Sequence, residues 1–587
     1  MTEILDFIKR NGNYFALIIC FIFLITAFFS VQGKFWEGMK FSGSSLTSDE
    51  VSHIPAGLYY LKTHQYFINT EHPYLIKDIS AIPLLFLNLN LPEIPEEKKY
   101  ENIQWEFGRD FLFNVGNNPD LITFWSRTAI IIFNTILLFL AYYFLKKIFG
   151  IFPSLIAIFF FAFSPNVIAH SSLVVMDVPL SFLTLLSVLT FSIFLEKLIE
   201  NKKYWPIFLS AAFFVTLSLL TKFQALILLV ALFFGGLVFV LIKNKVLWWK
   251  YILLFVAFCS LITIFIGVTY GFHAKNMEIE GIRYQINATY PHYLPTAGKE
   301  ILSRVASTNF FFKGLTEYLV GTFMITSRAA GAWQNTYFMG NVYGSEGVGF
   351  AYFPFLFFTK ETLGFLIFLF LALVFAIKDK FRNFLKNPFS LVAVLFILIY
   401  GSFSLLVRLN IGIRHIFPIT FLVFVLVANT ISKNLSSVRF ARVSLVLFLL
   451  IIVTWTLIFP YYLSYYNILG GGTNHGYQIA TDSNYDWGGQ DVKRLAKWVK
   501  ENKIEEIYAH IFTNVPLEYY LGESYQPFDV RHETLPPKGS YLAVSTFEMQ
   551  NVNYDKNLSP SKKYFQFKNN LIARVGKTIF IFKINNI

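Results

Sequence analysis

The stretch Ala129–Leu145 reads AIIIFNTILLFLAYYFL and runs straight into Lys146-Lys147. It carries no charge, and with its flanks it reaches the roughly 20 apolar residues that cross a bilayer as a helix. A second such run, Val443–Ile458 (VSLVLFLLIIVTWTLI), follows Arg439 and Arg442. Working outward from these two, the same criterion predicts about eleven spans: 13–31, 123–145, 151–169, 174–195, 205–221, 223–242, 251–271, 361–377, 389–407, 413–431 and 443–463. The composition agrees: of 587 residues, 55% are hydrophobic, 19% aromatic and only 14% charged, with a mean hydropathy of +0.52. Soluble domains carry about 25% charged residues. A disordered chain, a nucleic-acid binder and an ordinary soluble enzyme are excluded as descriptions of the whole. The expected fold class is a polytopic α-helical membrane protein.

The net charge of +13 falls in short clusters between apolar runs, as the positive-inside rule requires, and not on a basic face with base-stacking aromatics. With the N-terminus inside, the cytoplasmic clusters are Lys9/Arg10, Lys146/Lys147, Lys197/Lys202/Lys203, Lys243/Lys245/Lys250, Lys378/Lys380/Arg382/Lys386 and Lys433/Arg439/Arg442. The short outer turns carry only Lys222, Arg408 and Arg414. This contrast predicts a cytoplasmic N-terminus. The first span is long and lacks a small-residue cleavage site, so it reads as an anchor and not as a signal peptide. Cys20 and Cys259 both lie in apolar runs, which suggests neither a disulfide framework nor a thiolate metal site.

Three large pieces then lie outside: loop 32–122, loop 272–360 and the tail. The expected division is a transmembrane domain over 1–463 and an extracytoplasmic domain over 464–587. The tail is polar, with a helix expected over 489–502 and strands at Glu506–Phe512, Tyr541–Thr546 and Thr578–Lys583, the pattern of a small α/β or α+β unit. Gly470-Gly471-Gly472 is the expected hinge between the two. No repeat of fixed period is present.

Chemistry concentrates on the outer face. In Ser48-Asp49-Glu50-Val51-Ser52-His53 two carboxylates are adjacent. On a helix neighbouring side chains diverge by about 100°, so one can face a cavity while the other fixes its surroundings. The plainer reading is an N-cap at Asp49 with a solvated Glu50. Glu71-His72-Pro73 followed by Lys77 gathers an acid, an imidazole and an amine. An acid and a histidine can hold a divalent cation, and a lysine can bind a phosphate oxygen. The alternative is a capped interfacial helix lying on the bilayer over Ile79–Leu91. Asp177, in Met176-Asp177-Val178-Pro179-Leu180, stands within an apolar run, where an ionisable residue is costly and faces a cavity or a partner; an N-cap role competes with that reading. Lys222, Lys360, Arg408, Arg414 and His415 map to the same face. Singly each could snorkel, but together they suit an anionic substrate. Asp482–Asp491 (DSNYDWGGQD) reads most simply as a turn with an N-cap.

These residues resemble the GT-C glycosyltransferases of the protein O-mannosyltransferase and aminoarabinose transferase superfamily. The resemblance rests on Asp49-Glu50 after the first span, Glu71-His72-Pro73 to Lys77, Asp177-Val178-Pro179-Leu180, Gly349–Pro354 with Lys360, and Arg414-His415 before a late span. The tail stretch Asp482–Asp491 is similar to a DSNxDWGQD motif of a bacterial and archaeal branch, with one extra glycine. His72 stands where the aminoarabinose branch has lysine and agrees with the HPP form of the mannosyltransferases; Tyr74 replaces the second proline.

The resemblance implies an inverting transferase that moves a sugar from a polyprenyl-phosphate donor to a glycan, lipid or protein acceptor on the extracytoplasmic side. It implies Asp49 as general base, with Glu50 and Asp177 in the catalytic group. Lys77, His72, Lys222, Lys360, Arg414 and His415 are implied for the donor phosphate, and Glu71 as ligand of a divalent cation (Mg, Mn or Zn) in one branch. Loop 272–360 is too short for the β-trefoil module of the mannosyltransferases, which argues against a protein Ser/Thr acceptor. The expected location is the plasma membrane. A polyprenyl-linked oligosaccharide ligase or polymerase is the alternative, and a transporter or flippase is disfavoured because charge collects at one face without repeat symmetry.

Overall fold

The computed structural model describes residues 2–32, 35–37, 40–41, 43–289, 294–330, 335–379 and 387–585. Lys380, Arg382 and Lys386, used above for orientation, lie outside the described residues. All eleven expected apolar runs are helical. Among the described residues, eight helices are long and apolar enough to cross a membrane, or up to ten if each of two bent pairs is one span. The eleventh, Trp205–Leu219, is apolar but has only 15 residues, about 22 Å at 1.5 Å per residue and short of a 30 Å hydrocarbon core.

The helix ends follow from their sequences. Pro119–Phe149 starts where the Asn118 side chain accepts from the backbone N–H groups of Asp120 and Leu121 (3.0 and 3.1 Å), with Pro119 at its first position, where no N–H is needed. It stops after Lys146-Lys147 at Gly150. The run expected over 151–169 is bent by 68° between Ile151–Ala162 and Pro165–Ser171, because Ser164 caps a new helix that Pro165 opens. Tyr352–Lys360 meets Leu363–Lys378 at 113°, so the apolar run over 361–377 begins at a corner.

Asp177–Ile199 is buried along nearly its whole length and forms the centre of the bundle, packed by Trp205–Leu219, Pro119–Phe149 and Phe417–Ser432. Val438–Ile458 is largely exposed at the periphery. Within the second long loop, Phe310–Ala330 is a helix that sequence reading leaves out, because Lys313, Glu317 and Arg328 interrupt its apolar pattern. It packs along Trp248–His273.

The C-terminal region holds a five-stranded sheet in the order Tyr525–Pro527, Ile507–His510, Tyr541–Ser545, Ile579–Lys583, Leu571–Val575. The first three strands are parallel and the last two pairings antiparallel. Three of these strands fall within the expected runs, while Tyr525–Pro527 and Leu571–Val575 are too short or too exposed to show a clear alternation. The expected helix begins at Val492, not 489, because Gly488 and Gly489 adopt positive φ.

Candidate active site

Thr47 and Glu50 start the helix Ser48–Thr63. The Glu50 carboxylate accepts from the Thr47 N–H and hydroxyl (2.9 and 3.0 Å), the reciprocal contact of a capping box. The cap is therefore Thr47, and Asp49 is left unengaged by it. Asp49 and Glu50 point apart. Glu50 turns inward to Arg127, taking Nε at 2.8 Å and Nη2 at 2.6 Å, and also accepts from Val174 N–H at 3.1 Å. Both side chains of this pair are fully buried. Burial alone would raise the Glu50 carboxyl, but the Arg127 guanidinium and these hydrogen bonds hold it below its ordinary value. Glu50 is thus a fixed brace, not part of the cavity wall.

Asp49 faces the other way, 2.7 Å from Arg414 Nη1, with about a quarter of its side chain exposed (23%). Arg414 also lies 3.7 Å from Asp177 Oδ2, and Lys222 Nζ donates to Asp177 Oδ1 at 2.8 Å. Four residues from four helix ends or turns thereby form one chain of alternating charge: Asp49, Arg414, Asp177, Lys222. They line a cavity of about 330 Å³ with Glu71, His72, His53 and His415. Apolar side chains, among them Phe353, Phe403, Val407, Leu409 and Ile411, line the same cavity.

Burial would raise the Asp49 carboxyl, but Arg414 and then His53 outweigh it and keep it below the ordinary range. Burial pushes the His53 imidazole below 6.5 despite the pull of Asp49, and pushes His72 well below with Lys222 adding to the effect. Both rings are therefore neutral at pH 7. His72 Nδ1 and His415 Nε2 are buried without a hydrogen-bond partner. The cavity thus presents a carboxylate acceptor, two compensated cations, unsatisfied imidazole nitrogens and apolar side chains. Such a set suits a ligand with a phosphate and an apolar tail.

Of the residues singled out in the sequence, Asp49, Glu71, His72, Asp177, Lys222, Arg414 and His415 line this cavity. Glu50, Lys77 and Lys360 do not. Lys77 is fully buried and donates to Asn69 O (2.6 Å), Asn69 Oδ1 (3.1 Å) and His72 O (2.6 Å). These three acceptors use all the donors of an ammonium, and burial lowers its pKa to about 7. It ties down the 69–72 loop and has no donor left for a phosphate. Lys360, also fully buried, donates to the backbone oxygens of Leu463 (3.1 Å) and Asn484 and lies over the Tyr466 ring. In both cases a carbonyl cluster in the folded chain claims a lysine that spacing alone leaves free.

Glu71 is bonded by the side-chain amides of Asn102 (3.1 Å) and Gln104. Among the described residues, no three His, Cys, Asp or Glu side chains come together to hold a metal. Glu71 is accordingly not part of such a cluster among the described residues.

Three contributors escape the sequence reading. Arg127 lies inside the run expected to span the membrane over 123–145, where an arginine is expensive; that cost was the available signal. His53 is one helical turn beyond Asp49 and its Nδ1 is 2.9 Å from Val174 O. Trp487, in the tail stretch read as a turn, stacks over the Arg414 guanidinium at 4.2 Å, and no local pattern announces that.

Residues 48–277 match the dolichyl-phosphate-mannose-protein mannosyltransferase family, a stretch that contains Asp49, Glu71, His72, Asp177 and Lys222. No curated protein matches the chain. Among solved structures, the chain is similar to ArnT from Cupriavidus metallidurans bound to undecaprenyl phosphate, with 12% identity and a TM-score of 0.42 over 96% of this chain and 97% of that one. It is also similar to the archaeal oligosaccharyltransferase AglB from Archaeoglobus fulgidus in complex with an inhibitory peptide and a dolichol-phosphate. That similarity has 12% identity and a TM-score of 0.46 over 88% of this chain and 64% of that one. The family match covers less than half of the chain, on a polytopic helical fold.

Proposed function

Taking the chain as a GT-C glycosyltransferase, we propose that it transfers a sugar from a polyprenyl-phosphate donor to an acceptor hydroxyl, with inversion, on the extracytoplasmic side of the plasma membrane. One observation carries this reading: Asp49 and Arg414, 365 residues apart, meet at 2.7 Å on the wall of a cavity lined by both charged and apolar side chains. The apolar part of the lining suits the first isoprene units. Arg414 and Lys222, with His72 and His415, suit the phosphate, and Glu71, Gln104 and Trp105 line a polar flank for the sugar.

In this mechanism the acceptor oxygen attacks the anomeric carbon from the face opposite the phosphate. The bond from that carbon to the phosphate oxygen breaks, and polyprenyl phosphate leaves as a dianion. The acceptor proton passes to Asp49. Charge grows on the leaving phosphate in the transition state, which is where fixed cations contribute most. A carboxylate held as low as Asp49 is a weak base while Arg414 bonds it. A donor phosphate competes for the same guanidinium, so donor binding loosens the pair and makes Asp49 more basic when the acceptor arrives. Asp177, anchored by Lys222, holds Arg414 between the two tasks.

A volume near 330 Å³ suits a single sugar phosphate, at the lower end of small-ligand sites, and favours monosaccharide transfer over oligosaccharide ligation. Purified protein is offered radiolabelled polyprenyl-phosphate monosaccharides with and without mixed acceptors, beside Asp49→Asn. Acceptor-dependent release of free polyprenyl phosphate that vanishes in Asp49→Asn is the expected result. Lipid binding without turnover of any monosaccharide donor would favour the ligase, and no lipid binding would favour transport. Orientation is tested separately by C-terminal alkaline phosphatase fusion, active only if the C-terminal region is extracytoplasmic.

A further inference from the structure

The tail stretch Thr481–Asp491 (TDSNYDWGGQD) does more than turn the chain. On one side it fastens the segment that carries Arg414. Ser483 Oγ donates to Ile411 O at 2.5 Å and Ile413 N–H donates to Asn484 Oδ1 at 2.8 Å, while Asn484 Nδ2 donates to Tyr352 Oη at 3.0 Å on the separate helix Tyr352–Lys360. On the other side it fastens the start of the helix that carries Asp49. Ser48 N–H donates to Trp487 O at 3.0 Å, and Ser45 N–H donates to Gln490 O at 3.0 Å. Gly488 and Gly489 make this approach possible: both have positive φ, and a Cβ at Gly488 would stand 2.2 Å from Ser48 Oγ.

Trp487 sits where the two sides meet. Its indole is buried, 4.2 Å above the Arg414 guanidinium and 5.3 Å from the His170 ring. Arg414 Nε has no hydrogen-bond partner, so the π face of Trp487 is a principal restraint on that side of the guanidinium. A cation over an indole face in a desolvated site is well held.

We propose that Trp487 is a positioning residue for the Asp49–Arg414 pair, its ring fixing the guanidinium and its carbonyl fixing the first turn beneath Asp49, so that the C-terminal region completes the active site. The consequence for catalysis rests on the proposed role of Asp49 as base; the consequence for Asp49 itself does not. The groups facing Asp49 are Arg414, His53 on its own helix and Asp177, with Lys222 paired behind Asp177. Of these, Arg414 is the one that Trp487 restrains. If the guanidinium drifts, Asp49 loses its main counter-charge while Asp177 still repels it, and its protonation moves to higher pH.

Trp487→Leu keeps apolar volume but removes the π face, and Trp487→Phe keeps a ring. In the purified full-length chain, carbodiimide labelling of Asp49 is followed by mass spectrometry against pH; the reagent couples to the protonated carboxyl. The labelling midpoint is expected to rise by about one pH unit in Trp487→Leu, within the range a neighbouring opposite charge commands, and to stay near the parent in Trp487→Phe. The acid limb of kcat/KM for transfer moves with it. A labelling midpoint unchanged in Trp487→Leu overturns the proposal, as does an equal shift in Trp487→Phe. Labelling needs no turnover, so a parent protein inactive with every donor would count against the glycosyltransfer reading and leave this result standing on its own.

Discussion

Glu50→Gln and Asp49→Asn make the same chemical change at adjacent positions, and the structure separates their outcomes. Glu50 and Arg127 are fully buried together, and Arg127 spends its other donors on Ser44 O (2.9 Å), Ser44 Oγ (3.0 Å) and Ser45 O (2.8 Å). Replacing Glu50 by Gln leaves the guanidinium charge buried with no counter-charge, a change that costs about 3–5 kcal/mol. The new amide NH₂ also meets donors from Thr47 or Val174 in place of acceptors, which adds about 1–3 kcal/mol. Asp49 is partly exposed, and Arg414 retains Asp177 nearby at 3.7 Å; Asp49→Asn is expected to cost about 1 kcal/mol. The catalytic consequence is reversed, since loss of a general base removes about 10²–10⁴-fold of rate. Stability is read from unfolding in mixed SDS and dodecylmaltoside micelles, and transfer from release of polyprenyl phosphate. In Glu50→Gln/Arg127→Met both charges are gone, and the loss should be smaller than the sum of the single losses. The reasoning fails if the two single variants lose equal stability, if Glu50→Gln is near neutral, or if Asp49→Asn turns over normally.

Lys77→Met should lower stability and loosen the 69–72 loop, with donor affinity changing less than in Arg414→Ala; a donor-affinity loss in Lys77→Met as large as in Arg414→Ala would return Lys77 to the phosphate. The Lys77 amine has its folded pKa lowered to about 7 from 10.5, so the unfolded chain binds more protons between those values and this group's contribution makes stability rise with pH across that window. Comparing unfolding midpoints of parent and Lys77→Met from pH 7 to 10 checks it; an identical slope would refute it. Burial lowers the His53 and His72 imidazoles, and a bound phosphate raises their affinity for protons. Donor binding should therefore take up a proton and tighten as pH falls from 8 to 6, a dependence that calorimetry in buffers of different ionisation enthalpy reads directly. EDTA should leave transfer within about twofold, below the 10–100-fold losses seen when metal sites are disturbed; a loss restored by Mg, Mn or Zn would instead put a cation at Glu71.

Hydropathy and charge alone determined the class of this protein. Long apolar runs must satisfy their backbone internally in a bilayer, and helices do so without help from distant residues, so nearly every span was visible locally. Asp49, Asp177 and Arg414 were visible for a related reason: a charge in or beside an apolar run has a cost that demands a partner. Which partner each one takes is not local. Asp49 finds Arg414, 365 positions away, while Glu50, one residue on, finds Arg127, and only the packing of the bundle tells the two carboxylates apart. Lys77 and Lys360 carry the same charge as Lys222, yet clusters of backbone carbonyls absorb the first two, and the third faces the cavity. The tail stretch was legible as a turn because glycine, asparagine and aspartate announce turns. That it clasps both sides of the cavity depended on the close approach of Gly488 to Ser48 and on an indole meeting a guanidinium, contacts that exist only once the chain has folded back on itself.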